Sequence, residues 1–366
     1  MPPERAKPTI LIVEDEEGPR NALKIILRPF YSLVIASNRH EAFQALLSQP
    51  IDLVTLDLKL PDGYGLDLFH AIQRAHRGVE IVIITGYGTL KSSQEAMQHG
   101  AAGYLLKPFN VADLITLINR TLERKRYLDG IRTFLLSSSS LWADEQSAAA
   151  AWAELRNRFH SLTSFRTMSS SRAPGDEMTL ALVADVLEAS DRLLLVHTNR
   201  VRSYAALLAA ALNLSQTDQR ALMIGSLLHD LGYVALDRGA GSRLDPASEA
   251  DRVETQHPLL GVRMAAPLGV PTATLLAIAH HHERYDGSGF PEGLAGDRIP
   301  LLARIVGVAQ TFDRLMTSNG HTAGAYSDAC ARLSALAGTA LAPDLVALFL
   351  ERIGELQQTG QASRPV

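Results

Sequence analysis

TILIVED, residues 9–15, packs five apolar or β-branched residues into a run that stops on two acids. The form returns at 51–57, IDLVTLD, which ends on an aspartate, and at 80–85, EIVIIT, which ends on a threonine. With two further runs they mark strands over Thr9–Val13, Leu33–Ala36, Ile51–Leu56, Glu80–Ile84 and Gly103–Leu106. Near-continuous β-branched runs suit strands buried on both faces. Segments of helical spacing lie between them, at Gly18–Leu27, His40–Leu47 and Leu90–His99. This alternation predicts an α/β fold, a doubly wound parallel five-stranded sheet covered by helices on both sides.

Outward from that core the pattern changes. A helix starts near Leu114 and runs towards Arg126, which closes a first domain over 1–126. Residues 127–176 read as a connector: SSSS at 137–140, an alanine run at Ala148–Ala151 and SSSR at 169–172 surround one helical stretch, Ala151–Phe165. Trp142 and Trp152 are candidates to pack that helix against a neighbour. From Glu177 the chain reads helix after helix with Gly and Pro breaks, predicting an all-α domain over 177–360.

The 366 residues are long enough for two domains, and 46% hydrophobic with 20% charged content supports sizeable cores. A net charge of −4 argues against a strongly basic nucleic-acid binder, and no basic recognition helix follows the connector. The single cysteine, Cys330, cannot form an intrachain disulfide and suits a reducing cytoplasm. No apolar stretch marks a signal peptide or a membrane span, so a cytoplasmic protein is expected.

In an open parallel sheet, function collects at the carboxyl ends of the strands. Glu14 and Asp15 follow the first strand, Asp57 the third, Thr85 the fourth and Lys107-Pro108 the fifth. Three converging carboxylates make a hard oxygen site suited to Mg2+. Asp57 could act there as nucleophile towards a phosphoryl donor, with Lys107 neutralising charge and Thr85 hydrogen-bonding the phosphoryl oxygen. Through VED, LDLKLPDGYG, ITGYG and YLLKPF, residues 7–126 resemble a two-component response-regulator receiver domain, of flavodoxin-like fold. The resemblance implies phosphorylation of Asp57 by a cognate sensor histidine kinase, with Mg2+ on Glu14, Asp15 and Asp57. It also implies a switch in which Thr85 shifts and Tyr104 rotates inward, and a homodimer on activation.

The helical half concentrates histidine at His197, His229, His257 and His280–His282, with Asp230 directly after His229. A His-Asp pair inside the apolar word SLLHDLG is costly to bury unless both side chains are satisfied, and together they suit first-row metals. The words HTNRVRSYAALLAAALNLS, LLHDLG, HPLLG, HHERYDGSGFPEGL and RIPLLARIVGVAQTFDRLMT resemble the HD-GYP branch of the HD phosphohydrolases over residues 185–318. The resemblance implies hydrolysis of cyclic di-GMP at a two-metal centre of Fe, Mn or Zn. It makes His197, His229, Asp230, His257, His281 and His282 the ligands, and leaves His280 outside the pattern as a helix-surface residue. Glu188 and Asp191 keep the family's upstream spacing.

Three positions depart from that family. Gln310 stands where it has a metal-binding aspartate, Tyr233 where it has a lysine, and Phe290 where it has the tyrosine of Gly-Tyr-Pro. The loop wording after Tyr233, VALDRGAGSRLDPASEA, is also lost. Asp313, Tyr233 and Arg304 are candidate substrate contacts, as are Arg284 and Arg298. Two readings stay open: a phosphorylation-controlled cyclic di-GMP phosphodiesterase, or a catalytically inactive effector that senses the nucleotide or binds a protein such as a diguanylate cyclase. A DNA-binding output is disfavoured.

Overall fold

A computed structural model describes residues 7–76, 78–86, 93, 96–97, 99–137, 140–163, 174–236, 246–318 and 324–358; for 160–163, 174–178 and 246–251 only the backbone is described. The chain divides into two compact units, Met1–Gly130 with Asp191–Leu193, and Ile131–Ser190 with Leu194–Val366.

The first unit is built on the expected parallel sheet. Its strands are β1 (Thr9–Val13), β2 (Ser32–Ala36), β3 (Leu53–Leu56), β6 (Glu80–Thr85) and β7 (Gly103–Leu106), in the order β2-β1-β3-β6-β7. A hairpin of β4 (Lys59–Leu60) and β5 (Gly63–Tyr64) leads into the helix Gly65–Ala75. Side chains alternate between two cores, as the twofold strand period requires. Ile10 and Ile12 pack with Leu23, Leu27, Leu114 and Ile118 on one face, whereas Leu11 and Val13 pack with Leu46, Leu68, Phe69 and Ile72 on the other. Register then fixes the functional edge. Val13 pairs with Leu56, Leu56 with Ile83, and Thr85 with Leu106, so the residues that follow these strands share one end of the sheet.

Two details differ from the pattern in the sequence, and a third lies mostly out of view. β3 starts at Leu53 rather than Ile51, because the Asp52 side chain turns back to accept a hydrogen bond from the Thr9 backbone N–H at 2.9 Å. The helix Gly65–Ala75, which follows the turn residues Pro61-Asp62-Gly63, is not among the expected elements. A Cβ on Gly65 would lie 2.4 Å from the Asp57 carbonyl oxygen, so the tight approach admits only glycine. Most of the helix expected over Leu90–His99, and residues 87–88 of ITGYG, lie outside the described residues.

The helix expected towards Arg126 spans Val111–Leu136, 26 residues. The helical stretch expected over Ala151–Phe165 is the helix Glu145–Thr163, which starts six residues earlier and is built into the second unit, so this stretch is more than a connector. Trp152 is 2% exposed, donates its indole N–H to the Met264 carbonyl at 2.8 Å and packs against Trp142. Arg263 ties the same neighbourhood to the Ala143 carbonyl at 2.7 Å. The rest of this unit is helical, with Arg192–Ala211, Gln216–Leu228, Pro246–Ala265, Thr272–His280, Leu301–Ser318, Ala325–Ala335 and Pro343–Gln358 as its main elements. Val201, Leu208, Leu222, Ile305, Phe312 and Phe349 lie in its largest core. No helix among the described residues is long and apolar enough to cross a membrane.

Trp152→Ala should destabilise the second unit by about 3–5 kcal/mol, the usual range for deleting a buried aromatic. Trp152→Phe, which loses chiefly the hydrogen bond, should cost about 1 kcal/mol. Urea unfolding of the two variants checks this, and equal midpoints for Trp152→Ala and wild type would show that the helix contributes nothing to the unit.

Candidate functional sites

The sheet's carboxyl edge gathers Glu14, Asp57, Thr85 and Lys107 as the sequence predicts. Asp57 Oδ1 accepts from the Thr85 hydroxyl at 2.8 Å and from the Lys59 backbone N–H at 3.1 Å, while Oδ2 accepts from Lys107 Nζ at 2.6 Å. Lys107 also donates to Glu14 Oε2 at 2.5 Å, and among the described residues the buried Glu14 Oε1 has no hydrogen-bond partner. Burial raises the Glu14 carboxyl above its usual range, opposed by Lys107. Burial lowers Lys107, but Asp57 and Glu14 outweigh it and hold the ammonium above its ordinary value. The Lys107–Pro108 peptide is cis. Asp15 is half-buried beside this pocket, and Arg20 clamps the carbonyls of Glu14 and Asp15 at 3.0 and 2.9 Å. Tyr104 is partly buried against the core on the same strand, opposite Ile83. The pocket is thus a buried carboxylate held by a lysine and a hydroxyl, with an unpaired acid oxygen on hand for a cation.

In the second unit, the helix Gln216–Leu228 ends where His229 and Asp230 turn into the short 3-10 segment Leu231–Ala235. That segment packs against the helix Pro246–Ala265, and Gly232 is the point of closest approach. A Cβ there would lie 1.9 Å from the His257 carbonyl oxygen. The contact brings His257 beside Asp230, and the end of the helix Thr272–His280 adds His281 and His282.

Asp230 is the hub. Its Oδ2 lies 3.5 Å from His197 Nε2 and 3.4 Å from His229 Nε2, and its Oδ1 lies 3.3 Å from His257 Nε2 and 3.7 Å from His281 Nε2. Two metal-capable groups share it: His197, His229 and Asp230, and Asp230, His257, His281 and His282. The outer ring nitrogens of three histidines are engaged. Asp313 Oδ2 faces His197 Nδ1 at 2.7 Å, and the carbonyls of Ser226 and Ile278 face His229 Nδ1 and His281 Nδ1 at 2.9 and 2.7 Å. Each of these Nδ1 atoms donates, so each Nε2 presents a lone pair inward.

Several atoms of this neighbourhood lack partners. Among the described residues, His197 Nε2, His229 Nε2, His282 Nε2, Asp230 Oδ1 and Gln310 Oε1 are buried with no hydrogen-bond partner. Each such atom costs about 1–3 kcal/mol, a sum comparable with the stability of a whole domain. His257 Nε2 and His281 Nε2 also face each other at 3.1 Å. A cation among these atoms removes both problems, so the donor set fits a divalent metal. Burial holds His229 (down to about 3), His281 and His282 below the usual imidazole range, keeping them neutral as coordination requires. Burial opposes ionisation of Asp230, but the surrounding imidazoles hold its carboxyl well below the ordinary range.

Gln310, at the altered family position, donates its amide to the His281 carbonyl at 3.1 Å. Asp313 does not reach into the centre. It is 1% exposed, bonded to His197, and clamped by Arg200 at 2.5 and 2.9 Å. Burial raises its carboxyl, but His197 and Arg200 prevail and hold it low. Tyr233 stacks on His257 with ring centroids 4.1 Å apart and donates to Glu254 Oε2 at 2.6 Å. Arg304 pairs with Asp297 at 2.6 Å, and Arg284 binds Asp286 and Ser288 of its own loop. Phe290 stacks on His282 with centroids 4.8 Å apart. His280 is buried rather than on the helix surface, 3.5 Å from Glu283, which in turn accepts the backbone N–H groups of Glu292 and Leu294 and so pins the loop. Of the loop wording after Tyr233, residues 237–245 lie outside the described residues.

Sequence reasoning missed Arg200, Glu254 and Arg314. The signal was helical spacing. Arg200 lies three residues after His197, Glu254 three before His257, and Arg314 four after Gln310, and such positions share a helix face.

Residues 10–119 match the family model of the response regulator receiver domain, and residues 181–345 match that of the HD domain. The chain is 27% identical over 359 residues to the cyclic di-GMP phosphodiesterase response regulator RpfG of Xanthomonas campestris pv. campestris, covering 95% of this chain and 89% of that protein. It is 25% identical over 357 residues to a cyclic di-GMP phosphodiesterase of Thermotoga maritima, covering 94% and 90%. With the carboxylate pocket in its α/β unit and the histidine centre in its helical one, the chain joins a response regulator receiver domain, residues 10–119, to an HD domain, residues 181–345.

Proposed function

We propose that this response regulator is phosphorylated on Asp57 and that its HD domain hydrolyses cyclic di-GMP. The observation that carries the second part is the set of buried, partnerless atoms around Asp230, which leaves a divalent centre as the simplest way to satisfy them. The likeness to cyclic di-GMP phosphodiesterases over nearly the whole chain supports the substrate.

In the receiver, an Asp57 carboxylate oxygen attacks the phosphorus of a phosphohistidine, forming the P–O bond as the P–N bond to the kinase breaks. Lys107 is already paired with Asp57 and neutralises the charge that the phosphoryl group brings. The Thr85 hydroxyl is within a hydrogen bond of the same carboxylate, and its move to the phosphoryl oxygen would draw Tyr104 inward. Glu14, Asp15 and Asp57 would hold Mg2+, for which Glu14 Oε1 is the ready oxygen. The cognate donor is a sensor histidine kinase, and the setting is the cytoplasm.

In the HD domain, His197, His229, Asp230, His257, His281 and His282 would hold Fe, Mn or Zn. Bound divalent ions supply Lewis-acid stabilisation of a phosphoryl oxygen and an acidified water for in-line attack. The chain's own part is orientation. Asp313 fixes the His197 ring, two backbone carbonyls fix His229 and His281, and Phe290 and Tyr233 wall the His282 and His257 rings. Gln310 weakens the centre, because a neutral amide stands at the position where the family has a carboxylate to balance the metals' charge. The same substitution favours a second reading, a catalytically weak or inactive effector that binds cyclic di-GMP or a protein such as a diguanylate cyclase.

Acetyl phosphate with Mg2+ should add one phosphoryl group to wild type by intact mass and none to Asp57→Asn; an unchanged adduct on the variant would exclude Asp57. Manganese-loaded protein should consume cyclic di-GMP, and Gln310→Asp should raise the rate about tenfold or more by restoring one charge at the centre. Turnover in neither form, with metal bound in both, would contradict the phosphodiesterase reading and leave the effector one.

A further inference from the structure

Beside the histidine centre lies a second cluster with no part in holding a metal. Glu254 stands at its middle. Its Oε2 accepts the Tyr233 hydroxyl at 2.6 Å, its Oε1 lies 3.3 Å from Arg314 NH1, and the same Oε1 is 3.5 Å from His282 Nε2. Arg314 therefore stands one carboxylate away from a metal-capable histidine, on the same helix as Gln310 and Asp313. Its side chain is 47% exposed, so one edge of the guanidinium faces water while the other is tied inward.

The neighbouring arginines are otherwise employed. Arg200 is spent on both oxygens of Asp313, Arg304 on Asp297, and Arg284 on the loop it belongs to. The contact from Arg314 to Glu254 is long by comparison, and a guanidinium carries five N–H donors in a planar fork. That fork matches two oxygens of a phosphate. Burial opposes the Arg314 charge, but Asp230 and then Glu254 outweigh it and hold the guanidinium above its ordinary range, which places it within the field of the central carboxylate. Tyr233 completes the device. Stacked on His257 and bonded to Glu254, it couples the carboxylate that tethers Arg314 to a ring of the centre itself.

We propose that Arg314 is the phosphate-recognising cation of this site, swung from Glu254 to the nonbridging oxygens of a bound phosphodiester, with Glu254 and Tyr233 as its positioning residues. The proposal rests on the reading of the histidine centre as a phosphodiester site.

The test is calorimetric titration of the manganese-loaded full chain with two probes, cyclic di-GMP and inorganic phosphate. Arg314→Ala should weaken both by roughly tenfold to a hundredfold, the range for losing one charge-assisted hydrogen-bonding group, with manganese stoichiometry unchanged. Arg314→Lys should recover part of the loss, since it keeps the charge but not the fork. Wild type that binds phosphate but not cyclic di-GMP would sink the substrate reading alone, provided Arg314→Ala still weakens phosphate. Arg314→Ala that binds phosphate as tightly as wild type, or wild type that binds neither probe, would overturn the assignment of Arg314.

Discussion

One buried carboxylate organises the helical domain. Each oxygen of Asp230 faces two imidazoles, and it is the acid common to both metal-capable groups. Its oxygens and the ring nitrogens around it all turn lone pairs towards one another, and in a low-dielectric interior a cation between them is what makes that arrangement favourable. The helices supply the rest. Gly232 permits the approach that delivers His257, and the end of the helix Thr272–His280 delivers His281 and His282 in sequence.

The two functional sites answer the same physical problem differently. In the receiver, the buried Asp57 is neutralised from within by Lys107, so the pocket is nearly self-sufficient and needs a cation only to complete Glu14 and Asp15. Around Asp230 the arginines are paired elsewhere, Arg200 with Asp313 and Arg314 with Glu254. The central charge and the inward nitrogens are therefore left for something from outside. Gln310 sharpens the consequence. It brings a buried amide oxygen without a charge, while its amide nitrogen is held by the His281 carbonyl.

Much of this was legible in the sequence because it is local. Strand runs ending on Glu14, Asp57, Thr85 and before Lys107 give the receiver edge directly, since parallel register sets neighbouring strand ends side by side. The histidine words gave the metal-capable residues for a similar reason, each carried on a short motif. What the sequence hid is tertiary. His280 looks like a surface residue until Glu283 is seen beneath it, and Trp152, a packing candidate in the sequence, finds its partner, the Met264 carbonyl, only in the fold. Asp313 reads as a spare acid near the centre, yet its contacts with His197 and Arg200 make it the residue that aims a ligand. Contacts between helices far apart in sequence leave only a spacing signature, as Arg200, Glu254 and Arg314 do.

The central claim is that the atoms around Asp230 converge on a cation. Anomalous diffraction at the manganese edge, from crystals of the full chain grown with manganese, tests it most directly. The account predicts a peak at coordination distance, about 2.0–2.3 Å, from Asp230 and the Nε2 atoms of His257 and His281. No anomalous peak near Asp230, with water molecules bridging the ring nitrogens instead, would contradict it.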